Sequence, residues 1–375
     1  MLSAAAPVVL LLHHGLDNLV GKTGLTLLRY RSGPILAVID PDHAGACLRE
    51  ITGLDRAVPV LASMAEALPL LSSAGSSSAG GIDPGAPVAV VGLAPAGGRL
   101  DEAVRADLEI ALAAGLCLAS GLHTRLGDDP QLAALVQPGR WIWDLRQEPA
   151  DLSVAAARAA DLPGQRWLAV GSDMSVGKMS ACLELQAAAL ERGLDARFVG
   201  TGQAGILISG RGVALDAVRV DYAAGAVEQA VLEAAEGAGS HTLVLVEGQG
   251  SFCHPGSSAT LPLLRGSQPT ALLLVHRAGQ ETIRNHPHIP LPPLTELIAT
   301  VEAMAALARP HESSATGAPQ GPPKVRAIAL NTGHLGGEAA AEAIAATAAH
   351  TGLPCHDPVR AGGHDLLKAL LEPMA

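Results

Sequence analysis

Aromatic residues make up 2% of the 375-residue chain: three Trp, two Tyr and two Phe. The cores must then be built from Leu, Val, Ile and Ala, and the stacking platforms that hold single-stranded nucleic acid are missing. A basic excess is missing as well. The formal net charge is −11, the wrong sign for a surface that tracks a phosphate backbone. Five cysteines (Cys47, Cys117, Cys182, Cys253, Cys355) lie far apart, odd in number and without a CxxC pair. That spacing suits neither a zinc site nor a disulfide framework, so a reducing compartment and no bound metal are expected. No apolar run is long enough to span a bilayer. The opening MLSAAAPVVLLLHHG lacks a basic n-region and a cleavage site, and reads as a first strand, not a signal peptide. The expectation is a cytoplasmic protein that meets small molecules, with no nucleic-acid or membrane partner. A weakly charged, apolar α/β chain of this kind is also expected to form a homo-oligomer.

What is present is a long alternation of apolar runs and helical stretches. Hydrophobic residues are 49% and charged residues 16%, a globular balance. The length suits two domains, read as 1–150 and 151–375. In the first, strands are expected at Val8–Leu12, Ile35–Ile39, Val88–Val91 and Cys117–Ser120, with a helix at Leu108–Leu116. In the second they are expected at Trp167–Val170, Ala196–Val199, Thr242–Val246, Ala271–Val275 and Val325–Leu330, with a helix at Met179–Arg192. Buried strands that alternate with helices imply parallel sheets. The segments 72–87 and 312–323, rich in Ser, Gly and Pro, read as surface insertions.

The strongest chemical signal is VGSDMSVGKMS at 170–180. A strand enters a glycine-containing turn, then Gly-Lys, then a helix. Backbone N–H groups converge there, and the helix dipole adds positive potential. Gly171, Ser175, Gly177, Lys178, Met179 and Ser180 are therefore the candidate phosphate cradle, with Lys178 as the mobile charge. Five residues separate Gly171 from Gly177, one more than the usual P-loop, and this spacing resembles dethiobiotin synthetase. Met179 stands where a Ser or Thr would hold Mg²⁺; a thioether is a poor ligand for that ion.

A second signal is HTLVLVEGQGSFCHPG at 241–256. Glu247 is expected at a strand end, where open parallel sheets put their ligands, as a general base or an acidic metal ligand. His254 is a candidate proton carrier, and Gln249 lies in the same loop. Other strand-end loops carry Thr201 and Gln203, His276 and Arg277, and Asn331, the last a candidate reader of an adenine edge. Asp221 and Arg360 complete the candidate substrate contacts, and Arg265, Arg277 and Arg360 are the side chains suited to grip a carboxylate. GLDNLVGKTG at 15–24 repeats the Gly, Asp, Val, Gly and Lys of the 171–180 loop. It reads either as a second phosphate site or as a structural turn.

Taken together, these motifs resemble a P-loop family long catalogued as a domain of unknown function, which includes bacterial D-glutamate N-acetyltransferases. The likeness runs from GKTGLTLLRY and AVID, through GLAPAGG and SGLH, to GSDMSVGKM, TGQAGILISG, DYAAGAVE, VEGQGS, HPGSS, LNT and DPVR. Ala204 departs from it, standing where Thr is expected. The resemblance implies a Rossmann-like N-terminal domain and a P-loop C-terminal domain. It also implies acetyl transfer from acetyl-CoA to the amino group of a D-amino acid, with phosphate serving as a handle. Glu247 or His254 would then be the base. Two alternatives stay open: an ATP- and Mg²⁺-dependent ligase or kinase of the dethiobiotin synthetase type, and a nucleotide or CoA sensor without turnover.

Overall fold

The structure, a computed structural model, describes residues 2–3, 5–74, 85–94, 100–309 and 321–371. Residues 75–84 and 312–320 of the two expected insertions, and 95–98 of GLAPAGG, lie outside the described residues. Residues 72–74 belong instead to the helix Met64–Ala74. The chain divides into two units, Met1–Gln147 with Ile206–Gly210, and Glu148–Gly205 with Arg211–Ala375.

The first unit holds β1 (Val8–Leu11), β2 (Ile35–Ile39), β3 (Val60–Leu61), β4 (Val88–Val91), β5 (Cys117–Ser120) and β6 (Ile142–Asp144). They form one parallel sheet in the order β3-β2-β1-β4-β5-β6. Every residue of β1 and β4 is buried, as expected for strands covered on both faces. The strand order reverses at β1, the usual mark of a doubly wound Rossmann-like sheet.

The second unit holds β7 (Gln165–Gly171), β8 (Ala196–Val199), β9 (Leu243–Val246), β10 (Ala271–Arg277), the hairpin β11 (Thr282–Ile283) and β12 (His286–Pro290), β13 (Val325–Asn331) and β14 (Cys355–His356). Six of them form a parallel sheet in the order β14-β13-β10-β7-β9-β8. Here the reversal falls at β7, between β9 and β10. Among the described residues, Trp167 and Phe198 are the aromatic members of the buried apolar core, which otherwise rests on Leu, Val, Ile and Ala.

Some expectations shift. The helix read at Leu108–Leu116 spans Glu102–Ala113. Its start is set by Asp101, whose carboxylate accepts from Ala103 N at 3.1 Å, a cap that the apolar periodicity does not reveal. The stretch after β8, read as a loop, turns into the helix Gln203–Ser209. The antiparallel hairpin β11–β12 has no counterpart in the pattern of apolar runs. No helix among the described residues is long and apolar enough to cross a membrane.

Candidate phosphate and proton-transfer site

β7 ends at Gly171, and the chain turns into the helix Lys178–Glu191 with Gly177, at φ 112°, as its N-cap. This loop sits at the carboxyl end of the strand where the sheet order reverses, the usual ligand position in open α/β sheets. The first N–H groups of the helix have no intrahelical acceptor, the kind of donors that anions take up at helix N-termini. Lys178 is buried, and its Nζ donates to the carbonyl of Asp173 at 2.9 Å. Burial pulls its pKa down to about 8, against the opposing pull of the Glu247 and Asp173 charges.

Neighbouring strand ends brace the loop. Asn331, at the end of β13, donates from Nδ2 to Val176 O at 3.0 Å, and its Oδ1 accepts from Gly333 N at 3.1 Å. Its amide thus clamps the loop, a contact the sequence reading as an adenine reader does not include. Ser251 Oγ donates to Ser172 O at 2.9 Å. Ser172 Oγ lies 2.8 Å from His276 Nδ1, and burial depresses His276 to about 4, so its imidazole is neutral at physiological pH.

Asp173 is fully buried. Its carboxylate accepts from Met174 N at 2.6 Å, Gln280 Nε2 at 2.6 Å and Arg284 N at 2.7 Å. One side chain therefore ties the hairpin β11–β12 to the phosphate loop. Asp173→Ala would strand the Met174 and Arg284 amides, at about 1–3 kcal/mol for each one left unpaired, while Gln280 Nε2 keeps the carbonyl of Thr282. The expected result is a fall of about 2–5 kcal/mol in unfolding free energy by urea titration. An unchanged midpoint would show that the hairpin is held by other contacts.

Glu247 follows β9. Its side chain is nearly enclosed, 8% exposed overall. Oε2 accepts from Thr201 N at 2.8 Å and Gly202 N at 3.3 Å, while Thr201 Oγ1 donates back to Glu247 O at 2.9 Å. Burial lifts the carboxyl to about 7, with the two amides and the Lys178 charge pulling it down. Both donors converge on Oε2, so Oε1 is the oxygen left to take up a proton. A carboxyl balanced near neutrality is the condition for a general base.

His254 is buried, and its Nδ1 accepts from Gly256 N at 3.0 Å. Its ring meets His286 edge-on at 5.3 Å between centroids, and His286 meets His288 at 5.9 Å. Sequence reasoning missed both partners, because HPHIP resembles neither an apolar strand nor a loop motif. Gln249 is half-buried, and its Oε1 is enclosed without a hydrogen-bond donor. Met179 and Ser180 occupy the first turn after Lys178, both half-buried, while Ser175 is exposed at φ 57°.

The remaining candidates scatter. Thr201 serves Glu247, and Gln203 opens the next helix. Arg277, at the end of β10, lines a cavity of about 300 Å³ together with Gln280, Arg284 and His334. Asp221 and Arg265 line a separate cavity of about 570 Å³. Arg360 is engaged: Nε donates to Thr332 Oγ1 at 3.1 Å, and Nη2 donates to the carbonyls of Thr332 and Leu335 at 3.0 and 2.7 Å. It braces the loop after β13, and these bonds compete with any role as a carboxylate clamp.

The lookalike loop at 15–24 has a different setting from the loop at 171–178. The amides of His14 and Leu16 donate to the buried Asp40 carboxylate at 3.1 and 3.2 Å. Lys22 is exposed. Asp40 thus holds the chain where it enters this turn. His14, Asp40 and Asp42 have ligand atoms within 4.8 Å of one another, the group among the described residues that is close enough to share an ion.

A Rossmann-like parallel sheet and a P-loop sheet with a buried lysine and glutamate at its switch point define a two-unit P-loop protein. Models of two domains of unknown function match the chain: a Rossmann-like domain, DUF1611_N, over residues 41–148, and a P-loop domain, DUF1611_C, over residues 153–367. The chain belongs to the DUF1611 family. It is 37% identical over 288 residues to a D-glutamate N-acetyltransferase of Tritonibacter scottomollicae, covering 76% of this chain and 81% of that protein. A D-glutamate N-acetyltransferase of a Pseudoalteromonas species is 35% identical over 280 residues, with coverage of 74% and 79%. The crystal structure of a DUF1611 family protein from Anabaena variabilis superimposes with a TM-score of 0.85 at 49% identity, covering 98% of this chain and all of that one.

Proposed function

We propose that this protein is an N-acetyltransferase that moves an acetyl group from acetyl-CoA to the amino group of a D-amino acid such as D-glutamate. The observation that carries the reading is the pairing of a phosphate-binding loop with a carboxyl raised to about 7 by burial, in a chain whose curated relatives bear that activity in their names. Coenzyme A offers phosphates at separate points. The loop with Lys178 would hold one set, and the cavity with Arg277 and Arg284 suits another. The enclosed Gln249 Oε1 awaits an N–H donor, which an amide arm or an amine supplies. Met179 in place of a Mg²⁺-binding hydroxyl fits a ligand whose phosphates are held and not cleaved.

Acetyl-CoA supplies an activated acyl group. The amine nitrogen forms the new C–N bond as the C–S bond breaks; the thiolate leaves and is protonated, and one net proton goes to solvent. Glu247 Oε1 would accept the proton from the substrate ammonium. Backbone N–H groups of the loop after Glu247 would face the negative charge on the acetyl oxygen. His254, with His286 and His288 beyond it, would return the proton to water.

Incubation with acetyl-CoA and a panel of D- and L-amino acids, followed by thiol release and product mass, tests the reading. Transfer to a D-amino acid is expected. Lys178→Ala should weaken CoA binding about 10- to 100-fold, the worth of a charge-assisted phosphate contact. ADP formation from ATP and Mg²⁺, with no thiol release, would move the protein to the ligase class and make Ser180 the residue to test.

A further inference from the structure

The cavity of about 570 Å³ in the second unit lies beside the phosphate loop and is separate from its lysine. It is bounded by the turn Val220–Tyr222, by the loop at 251–258 and by the helix Thr260–Ser267. That helix is held close against the helix Ala223–Ala234. A Cβ at Gly266 would lie 2.3 Å from Ala224 O, so only glycine permits the approach. The neighbouring residue, Arg265, is thereby set on the same cavity as Asp221 and Ala224.

Two charges of opposite sign meet this cavity. Arg265 is exposed, and its guanidinium makes no hydrogen bond or ion pair among the described residues. Asp221 is exposed and accepts no hydrogen bond there either; its electrostatic neighbour is Arg219. Arg219, however, is already held by Glu148, from Nε at 2.9 Å and from Nη2 at 2.6 Å. Phe252, Leu261 and Pro262 add apolar wall, and Ser251, Ser257, Ser258 and Thr260 add hydroxyls. The pocket thus presents one cation and one anion on a lining of mixed apolar and hydroxyl side chains.

That pattern disfavours a phosphate group, which Asp221 would repel, and it suits a zwitterion. We propose that this pocket is where the acceptor amino acid docks, with Arg265 gripping a carboxylate and Asp221 facing the ammonium group, which must leave Asp221 to reach Glu247, outside the pocket lining, for proton transfer. The inference rests on the acyl-transfer reading above and adds to it the place of the second substrate. Ser251 joins the two sites: it lines this pocket and donates to Ser172 O of the phosphate loop at 2.9 Å. The acceptor would therefore lie next to the donor, without sharing its charge partners.

Two readouts separate the pocket from the overall reaction. Calorimetry of D-glutamate titrated into the CoA-loaded protein needs no turnover. Binding is expected in the wild type, with a loss of about 10- to 100-fold in Arg265→Gln, partial recovery in Arg265→Lys, and a comparable loss in Asp221→Asn. CoA affinity should stay within about twofold in all three, because phosphate contacts lie elsewhere. Both side chains are exposed, so the variants should fold; circular dichroism checks it. Unchanged D-glutamate affinity in Arg265→Gln, loss of CoA affinity instead, or no D-glutamate binding by the wild type would each overturn the proposal. Thiol release is scored separately. Its absence in a protein that still binds D-glutamate through Arg265 removes the transferase reading and keeps the pocket.

Discussion

Glu247→Gln should lower the turnover of acetyl transfer by about 10²–10⁴-fold, the usual worth of a positioned base, with little change in CoA affinity. The substitution fits the site sterically. Both amide donors, from Thr201 and Gly202, point at Oε2, so a Gln carbonyl keeps them and its NH₂ takes the place of Oε1. What is lost is the capacity to accept a proton. The pH profile gives the sharper readout. Burial raises Glu247 to about 7, so the ionised base disappears as pH falls through that value. Lys178, lowered to about 8, loses its charge as pH rises through it. The kcat/KM of the wild type should therefore be bell-shaped, and the variant should lose the acidic limb. An acidic limb that survives in Glu247→Gln would assign the base to another group, His254 first.

The same carboxyl has a stability signature. A Glu whose folded pKa is raised is easier to protonate folded than unfolded. Folding is then penalised above the unfolded pKa of 4.5, and the penalty grows until pH passes about 7. Glu247→Gln should then raise Tm at pH 8 and leave it nearly unchanged at pH 4.5. A variant that loses activity and gains stability is the pattern expected of a strained functional residue.

Gly248→Ala carries the largest structural effect. A Cβ there would lie 1.7 Å from Ala169 O and 2.8 Å from the Lys178 side chain. Ala169 is in β7, so the end of β9 and the strand feeding the phosphate loop would be forced apart. Overpacking of this kind costs about 1–3 kcal/mol and more against rigid backbone. The expected result is a clear drop in the urea midpoint, together with weakened CoA binding from displacement of Lys178. Wild-type behaviour in both measurements would mean that the loop after β9 shifts freely.

Much of this was legible in the residues. Apolar runs such as Val8–Leu11 and Leu243–Val246 mark strands buried on both faces, and the glycines before Lys178 announce the turn. Glu247 stood out by its position after such a run. Partners were less visible. Nothing local shows that Thr201 and Gly202, 46 and 45 residues upstream, aim their amides at Glu247. Nor does it show that the Asn331 amide holds Val176, 155 residues away. The hairpin β11–β12 escaped because its alternation is broken by Pro and His, and its anchor, Asp173, reads as one more polar residue of a loop. The motif at 15–24 has the same letters, and nothing in them shows that Asp40, just after the next strand, accepts from Leu16 N within it.

The pairing of β7 has a consequence for how the molecule can be cut or assembled. Its two neighbours, β9 and β10, begin at residues 243 and 271, whereas β7 itself ends at 171. The segment that bears the recognisable motif thus has no structural autonomy. Closing the intervening chain costs entropy before any ladder bond repays it, and parallel pairings of such separation form slowly. A peptide or truncated fragment carrying only 165–191 would keep the letters of a phosphate site and none of its shape. During synthesis, the cradle would come into being only after the ribosome has delivered strands some hundred residues downstream.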